Sequence, residues 1–203
     1  MKIKYLGFTT IQINAANISL ITEPNVAMEN GVKINSVEAD IVLNMDDNLP
    51  IEGVKASANS KVLYISNPGE YESKEVMIQR PMSSRIYIVD EDSVRLVYIG
   101  SGTQKIDKKL LEDLGDVDIL VLPVGVGELF PSYEDLEAII SKVEPSKLVP
   151  VAYSDGKVGA GFSSVDDFIK HFGYANTREE TTLKVESSVD DVEKAMEVII
   201  LKK

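Results

Sequence analysis

No cysteine occurs among the 203 residues, and histidine occurs once, at position 171. The first absence excludes a disulfide framework, a thiolate metal site and a cysteine nucleophile. The second excludes any site built from two or more imidazoles, which covers most catalytic zinc centres. Long apolar runs are missing too. No stretch reaches the roughly 18 consecutive apolar residues that a membrane-spanning helix needs, and the opening Met1-Lys2-Ile3-Lys4-Tyr5 lacks the apolar region of a signal peptide. The expectation is a reducing, cytoplasmic setting with no membrane partner. Basic residues are outnumbered, 21 Lys and Arg against 33 Asp and Glu, for a net charge of −12. Phosphate backbones are held by Lys/Arg surfaces that displace counterions, so no nucleic-acid partner is expected.

What is present is enough for a core. Hydrophobic residues make up 44% of the chain, which argues against intrinsic disorder. With no internal repeat, low-complexity segment or linker, one compact domain over residues 1–203 is the reading. The first hundred residues read mostly as strands. Lys2–Leu6, Thr10–Ile13 and Ile18–Thr22 form an antiparallel meander that Pro24 ends. Asp40–Leu43 suits a buried strand and leads into the polar loop Asn44 to Asn48. Lys61–Ile65, Glu75–Ile78, Arg85–Val89 and Val94–Ile99 continue the pattern, the last two joined by a turn at Asp90-Glu91-Asp92-Ser93.

The second half alternates strands and helices. A helical stretch near Lys105–Leu114 precedes a strand at Asp118–Leu122. Ser132 with Asp135, and Ser164 with Asp167, are capping-box patterns that open two helices. Leu136, Ile139, Ile140 and Val143 form one apolar stripe; Val165, Phe168, Ile169 and Phe172 form the other. Pro145 and Gly173 close these helices, and Lys147–Val151 is a strand between them. Thr181–Glu186 and Glu197–Leu201 read as strands around a helical turn from Ser188. Strands first and alternation later imply mixed sheets with helices outside, an α/β (α+β) architecture.

Six segments then acquire a joint meaning. They are Met1 to Gly7, Ala39-Asp40-Ile41-Val42-Leu43, Asn67-Pro68-Gly69-Glu70-Tyr71-Glu72, Val97-Tyr98-Ile99-Gly100, Gly115 to Gly125, and Glu144-Pro145 through Val149-Pro150-Val151-Ala152-Tyr153. In this order they resemble the metallo-β-lactamase fold superfamily, in its small bacterial and archaeal branch of Zn-dependent hydrolases. The P-G-E-Y-E segment is the most specific. The resemblance spans residues 1 to about 153 and implies an αβ/βα four-layer sandwich, two mixed β-sheets flanked by helices.

It also implies a metal site, and there the residues depart from it. Where the family has S-H-x-H-x-D-H, this chain has Asn44-Met45-Asp46-Asp47-Asn48-Leu49-Pro50. Histidines are replaced at Met45 and Asp47, and the Asp-His pair at Leu49 and Pro50. The bridging aspartate is replaced by Ser101 and the last ligand, in P-x-H-Y, by Ala152. The family's opening G-H-S is Gly7-Phe8-Thr9. A zinc hydrolase needs imidazole and carboxylate donors to hold the ion and acidify its bound water. No zinc and no other cofactor is therefore expected.

Other candidates are weaker still. Asp46 and Asp47, with Glu70, form an oxygen set suited to a hard cation, against the simpler reading of a solvated loop whose aspartates cap backbone N–H groups. Gly125-Val126-Gly127-Glu128-Leu129-Phe130 has a strand before it and a helix after it, but Phe130 stands where a dinucleotide fingerprint needs its third glycine. Gly156 to Gly161 reads as a mobile loop, and His171 as a cation in a helix's last turn. Asn17-Ile18-Ser19 matches a glycosylation sequon inside a strand. The resulting expectation is a pseudoenzyme, a non-catalytic binding or subunit-interaction module whose partner is a second copy, a catalytic relative or a small polar ligand. The alternative is an active phosphodiesterase- or lactonase-type hydrolase with an oxygen-ligand metal at Asp46 and Asp47.

Overall fold

The computed structural model describes residues 1–46, 53–57, 61–102, 105–186 and 195–203. Three strands open it, β1 (Lys2–Gly7), β2 (Thr10–Asn14) and β3 (Ser19–Thr22). Helix α1 (Pro24–Glu29) follows at once. Pro24, expected only to end the meander, occupies the first helical turn, where its missing N–H costs nothing and its fixed φ suits the helix. Next come β4 (Val37–Glu38), β5 (Ile41–Leu43), β6 (Val54–Lys55), β7 (Leu63–Ile65) and β8 (Gly69–Ser73). The meander β9 (Val76–Arg80), β10 (Ile86–Glu91) and β11 (Val94–Ile99) follows. The rest alternates as α2 (Lys108–Asp113), β12 (Ile119–Pro123), α3 (Tyr133–Val143), β13 (Lys147–Val151) and α4 (Val165–Phe172). It closes with β14 (Thr177–Glu180), β15 (Leu183–Lys184) and β16 (Glu197–Leu201).

Two mixed sheets result, in the orders β15-β1-β2-β3-β5-β7 and β14-β16-β13-β12-β11-β10-β9-β8, with a two-stranded β4-β6 ladder beside them. The two-residue period of a strand sends alternate side chains to opposite faces. On β12, Ile119 and Val121 join the core between the sheets, while Leu120 and Leu122 join the layer beneath the helices. Leu136, Ile139, Ile140 and Val143 of α3 pack into that outer layer with Val165 and Phe168 of α4. The capping expectations hold. Ser132 and Ser164 accept the backbone N–H groups of Asp135 and Asp167, and at Ser164 the box is reciprocal. On the six-stranded sheet, Ile21, Ala39 and Val42 make a small outer cluster with Val37 and Val54 of the β4-β6 ladder.

Three readings are corrected. Asp90 and Glu91 belong to β10, so only Asp92 and Ser93 turn. The Glu91 carboxylate is 7% exposed, accepts the Ala16 N–H and lies 3.1 Å from the Met1 ammonium, partners no local pattern reveals. The strand placed at Thr181–Glu186 contracts to β15, paired with β1. Its neighbour β14 went unread because Thr177-Arg178-Glu179-Glu180 has no apolar alternation. It is an edge strand held by its parallel register with β16, and charge suits such an edge. The turn expected from Ser188 lies outside the described residues.

Candidate functional site

The ends of β5, β11 and β13 and the turn between β1 and β2 meet at one edge of the sandwich. They bring together Met45, Ser101 and Ala152, three positions where the resemblance had placed metal ligands, and Phe8 of the altered G-H-S motif. All four are buried, with Phe8 and Ala152 at 0%, Met45 at 3% and Ser101 at 5% exposure. Phe8 (φ 52°) and Ala152 (φ 57°) both adopt left-handed backbone that side chains with a Cβ resist. The Ala152 N–H donates to the Phe8 carbonyl at 2.8 Å, locking these two segments together. The Phe8 ring lies 5.6 Å from Phe130 and 5.3 Å from Phe162, which are 5.2 Å apart. Gly127 is required here, since a Cβ would strike the Phe162 ring; Gly100 likewise leaves room for the Met45 side chain.

Beneath Met45 lies a polar network that centres on a residue the sequence reading did not single out. Glu23 stands at the N-terminal boundary of α1 in left-handed backbone (φ 35°), makes no side-chain capping bond, and is 1% exposed. Its Oε2 accepts the Ser101 N–H (2.8 Å) and the Tyr98 hydroxyl (2.7 Å), and its Oε1 lies 2.5 Å from Ser101 Oγ. The hydroxyls of Thr9 and Thr10 donate to the Glu23 carbonyl, fixing the backbone. Burial pushes the Glu23 carboxyl above its ordinary range, opposed by these donors and by the charge of Arg85. The Tyr98 phenol is raised as well, first by burial and then by the Glu23 charge.

Two arginines border the network. Arg85 Nη2 donates to Ser101 Oγ and to Asp46 Oδ2, both at 3.4 Å. Arg80 is 9% exposed. Its Nη1 and Nη2 donate to the carbonyls of Asn44 (3.3 Å) and Met45 (2.6 Å), and its guanidinium stands 5.6 Å over the Tyr87 ring. Backbone carbonyls and an aromatic face thus hold this charge in place. The only signals for these residues are the lone carboxylate between β3 and Pro24 and the two arginines flanking the Pro81–Ser84 turn.

Of the remaining expected positions, Asp46 and Glu70 are described and lie apart from this cluster. Asp46 has a 69% exposed side chain and pairs with Arg85, and Glu70 is exposed on the edge strand β8. Asp47, Leu49 and Pro50 lie outside the described residues. Zinc fits poorly. Met45, Ser101 and Ala152 offer a thioether, a hydroxyl and a methyl, and among the described residues no group of three or more His, Cys, Asp or Glu could hold a metal ion. Phe130, the missing third glycine, is a core residue. The Gly156 to Gly161 loop is tied down at Gly159, which lies under the Phe8 ring and donates to the Asn30 carbonyl. His171 is exposed, with its ring 4.3 Å from that of Tyr133.

A family model described as a β-lactamase superfamily domain matches residues 2–152, three quarters of the chain. The chain belongs to this family. Proteins of known structure share the fold over most or all of the chain. A Thermotoga maritima protein named as a candidate Zn-dependent hydrolase of the metallo-β-lactamase superfamily superposes with a TM-score of 0.77 at 18% identity, covering 100% of both chains. Igni18, a metallo hydrolase of Ignicoccus hospitalis, gives 0.64 at 14% identity over 91% of this chain and 99% of its own. The metallo-β-lactamase fold protein YhfI of Bacillus subtilis gives 0.61 at 9% over 99% and 96%. No curated protein sequence matches. The chain is thus a degenerate member of a hydrolase-like superfamily, with the scaffold kept and the ligand positions replaced. No helix among the described residues is long and apolar enough to cross a membrane.

Proposed function

We propose that this protein is a pseudoenzyme, a non-catalytic member of its superfamily that serves as a binding or subunit-interaction module. The observation that carries the reading is the filling of the cleft. Met45, Phe8 and Ala152 are buried where a metal hydrolase needs polar donors and open coordination, and Phe130 and Phe162 complete an apolar plug. Apolar burial stabilises such a plug without any ion. The bordering loops carry large apolar side chains. Met82, in the turn before Arg85, is 79% exposed, and Leu129, whose carbonyl accepts the Gly102 N–H, is 41% exposed. A partner meeting them is a second copy, a catalytic relative or a small polar ligand at the rim, in a cytoplasmic setting and without nucleic acid.

The test is elemental analysis of protein purified without chelator, followed by melting with and without excess EDTA. The expected result is no stoichiometric transition metal and an unchanged melting temperature. One equivalent of metal retained through dialysis, or a fall of several degrees restored by one divalent ion, would replace this reading with a hydrolase whose metal is held by oxygen ligands near Asp46 and Asp47.

A further inference from the structure

We propose that Asn30 is a modification site: with Gly31 it forms a self-deamidating pair, and the fold holds that reaction off for as long as the last turn of α1 stays closed.

The way α1 ends calls for this pair. Asn30 caps its C-terminus (φ −97°, ψ 20°), and Gly31 follows at φ 93°. The Gly31 N–H donates to the Met28 carbonyl (3.1 Å) and the Val32 N–H to the Ala27 carbonyl (3.0 Å). Those two bonds, with Val32 and Ala27 both buried in the core between the sheets, make a Schellman closure. Its turning position needs positive φ, which glycine adopts at no steric cost. The chain thus places its one Asn-Gly pair where the helix must stop. Gly31 is exposed and Asn30 half-buried, so water reaches both.

Asn-Gly is a labile sequence because a residue without a Cβ lets its own nitrogen reach the preceding side chain. The Gly31 nitrogen, shedding its proton, attacks Asn30 Cγ; the Cγ–Nδ2 bond breaks, ammonia leaves, and a cyclic imide remains. Water opens that ring to aspartate or isoaspartate, with no redox change. In the closed turn both reacting groups are tied. The attacking N–H is given to Met28. Asn30 Nδ2 donates to the Val26 carbonyl at 2.9 Å, which aims the side chain back along the helix and away from Gly31. The Asn30 carbonyl is held in turn by the Gly159 N–H at 3.3 Å. Attack therefore requires a local opening of this turn, a smaller event than global unfolding. The product opposes reclosure. Isoaspartate adds a backbone carbon ahead of Gly31, carrying Val32 out of register with Ala27. Either acid sets a new carboxylate beside Glu29 at the carbonyl end of the helix, where negative charge is disfavoured.

Peptide mass mapping of the full chain, held at mildly alkaline pH either folded or in guanidinium chloride, tests the proposal. Conversion at Asn30 is expected to be slower in the folded chain by more than about tenfold, because only a minority open state reacts. Amide exchange at Gly31 is expected to be slowed by a similar factor relative to the unfolded chain, since the same opening frees that N–H. Val32→Ala weakens the contact with Ala27 and keeps the Asn-Gly pair, so it is expected to speed conversion while circular dichroism shows the chain folded. Equal rates in the folded and unfolded chains, or a Gly31 N–H that exchanges freely, overturn the proposal. So does a folded Val32→Ala chain that converts no faster than the wild type. If that variant fails to fold, the wild-type comparison and the Gly31 exchange decide alone.

Discussion

The two faces of the eight-stranded sheet are filled by different rules. Its outer face is aliphatic and repetitive: Leu120, Leu122, Leu148 and Val198 meet the stripes of α3 and α4. Its inner face, towards the end where β5, β11 and β13 meet, holds Tyr87, Tyr98, Arg80 and Ser101 around Glu23 and beside the phenylalanine plug. On the outer face stability follows from volume buried; on the inner face it depends on whether each polar atom finds its partner. One layer of side chains exists to hold the sandwich closed. The other gathers the Ser101 and Tyr98 donors around the buried Glu23 carboxylate.

Three substitutions sharpen that contrast. The largest effect is expected at Phe168, 0% exposed on the buried face of α4, where truncation to alanine leaves a cavity and should cost about 3–5 kcal/mol in urea unfolding. A loss under about 1 kcal/mol would mean that the outer layer is loose. Next is Tyr98→Phe, which keeps the ring but removes the hydroxyl that donates to Glu23 Oε2 and the Thr9 carbonyl. We expect about 1–3 kcal/mol from the unpaired acceptors; no change would show that the inner network is not under hydrogen-bond control. The smallest is Ser164→Ala at the cap of α4, expected to cost about 1 kcal/mol with the cleft unaffected. Helix loss spreading into the cleft, seen as altered Phe8 and Phe162 ring signals by NMR, would break the separation of the two faces.

The outer face was legible in the sequence because its information is local. Leu136 to Val143 and Val165 to Phe172 announce their buried sides by spacing alone, and the serine caps mark where each helix starts. The loss of the metal ligands was also legible, since Met45, Ser101 and Ala152 stand in recognisable family segments. What replaced them was not. Glu23 and Ser101 are 78 positions apart and Arg80 and Met45 are 35 apart, so their pairing is set by the closure of the sheets. A buried glutamate looks, in one dimension, like any solvated one. Asp46 and Glu70, read as part of an oxygen ligand set, are both exposed, and Asp46 pairs with Arg85.

The placement of β16 has a consequence for synthesis on the ribosome. Residues 197–201 lie between β13 and β14, so β14 joins the sheet only through a segment made after it. Until residue 201 has left the exit tunnel, the edge of β13 is bare, with Leu148, Val149 and Val151 along it. Non-local parallel pairing forms slowly and unpaired apolar edges associate readily. The nascent chain therefore carries an unpaired apolar edge from the completion of β13 to that of β16, about the last quarter of translation, and a shortfall of a few residues before 201 leaves that edge open.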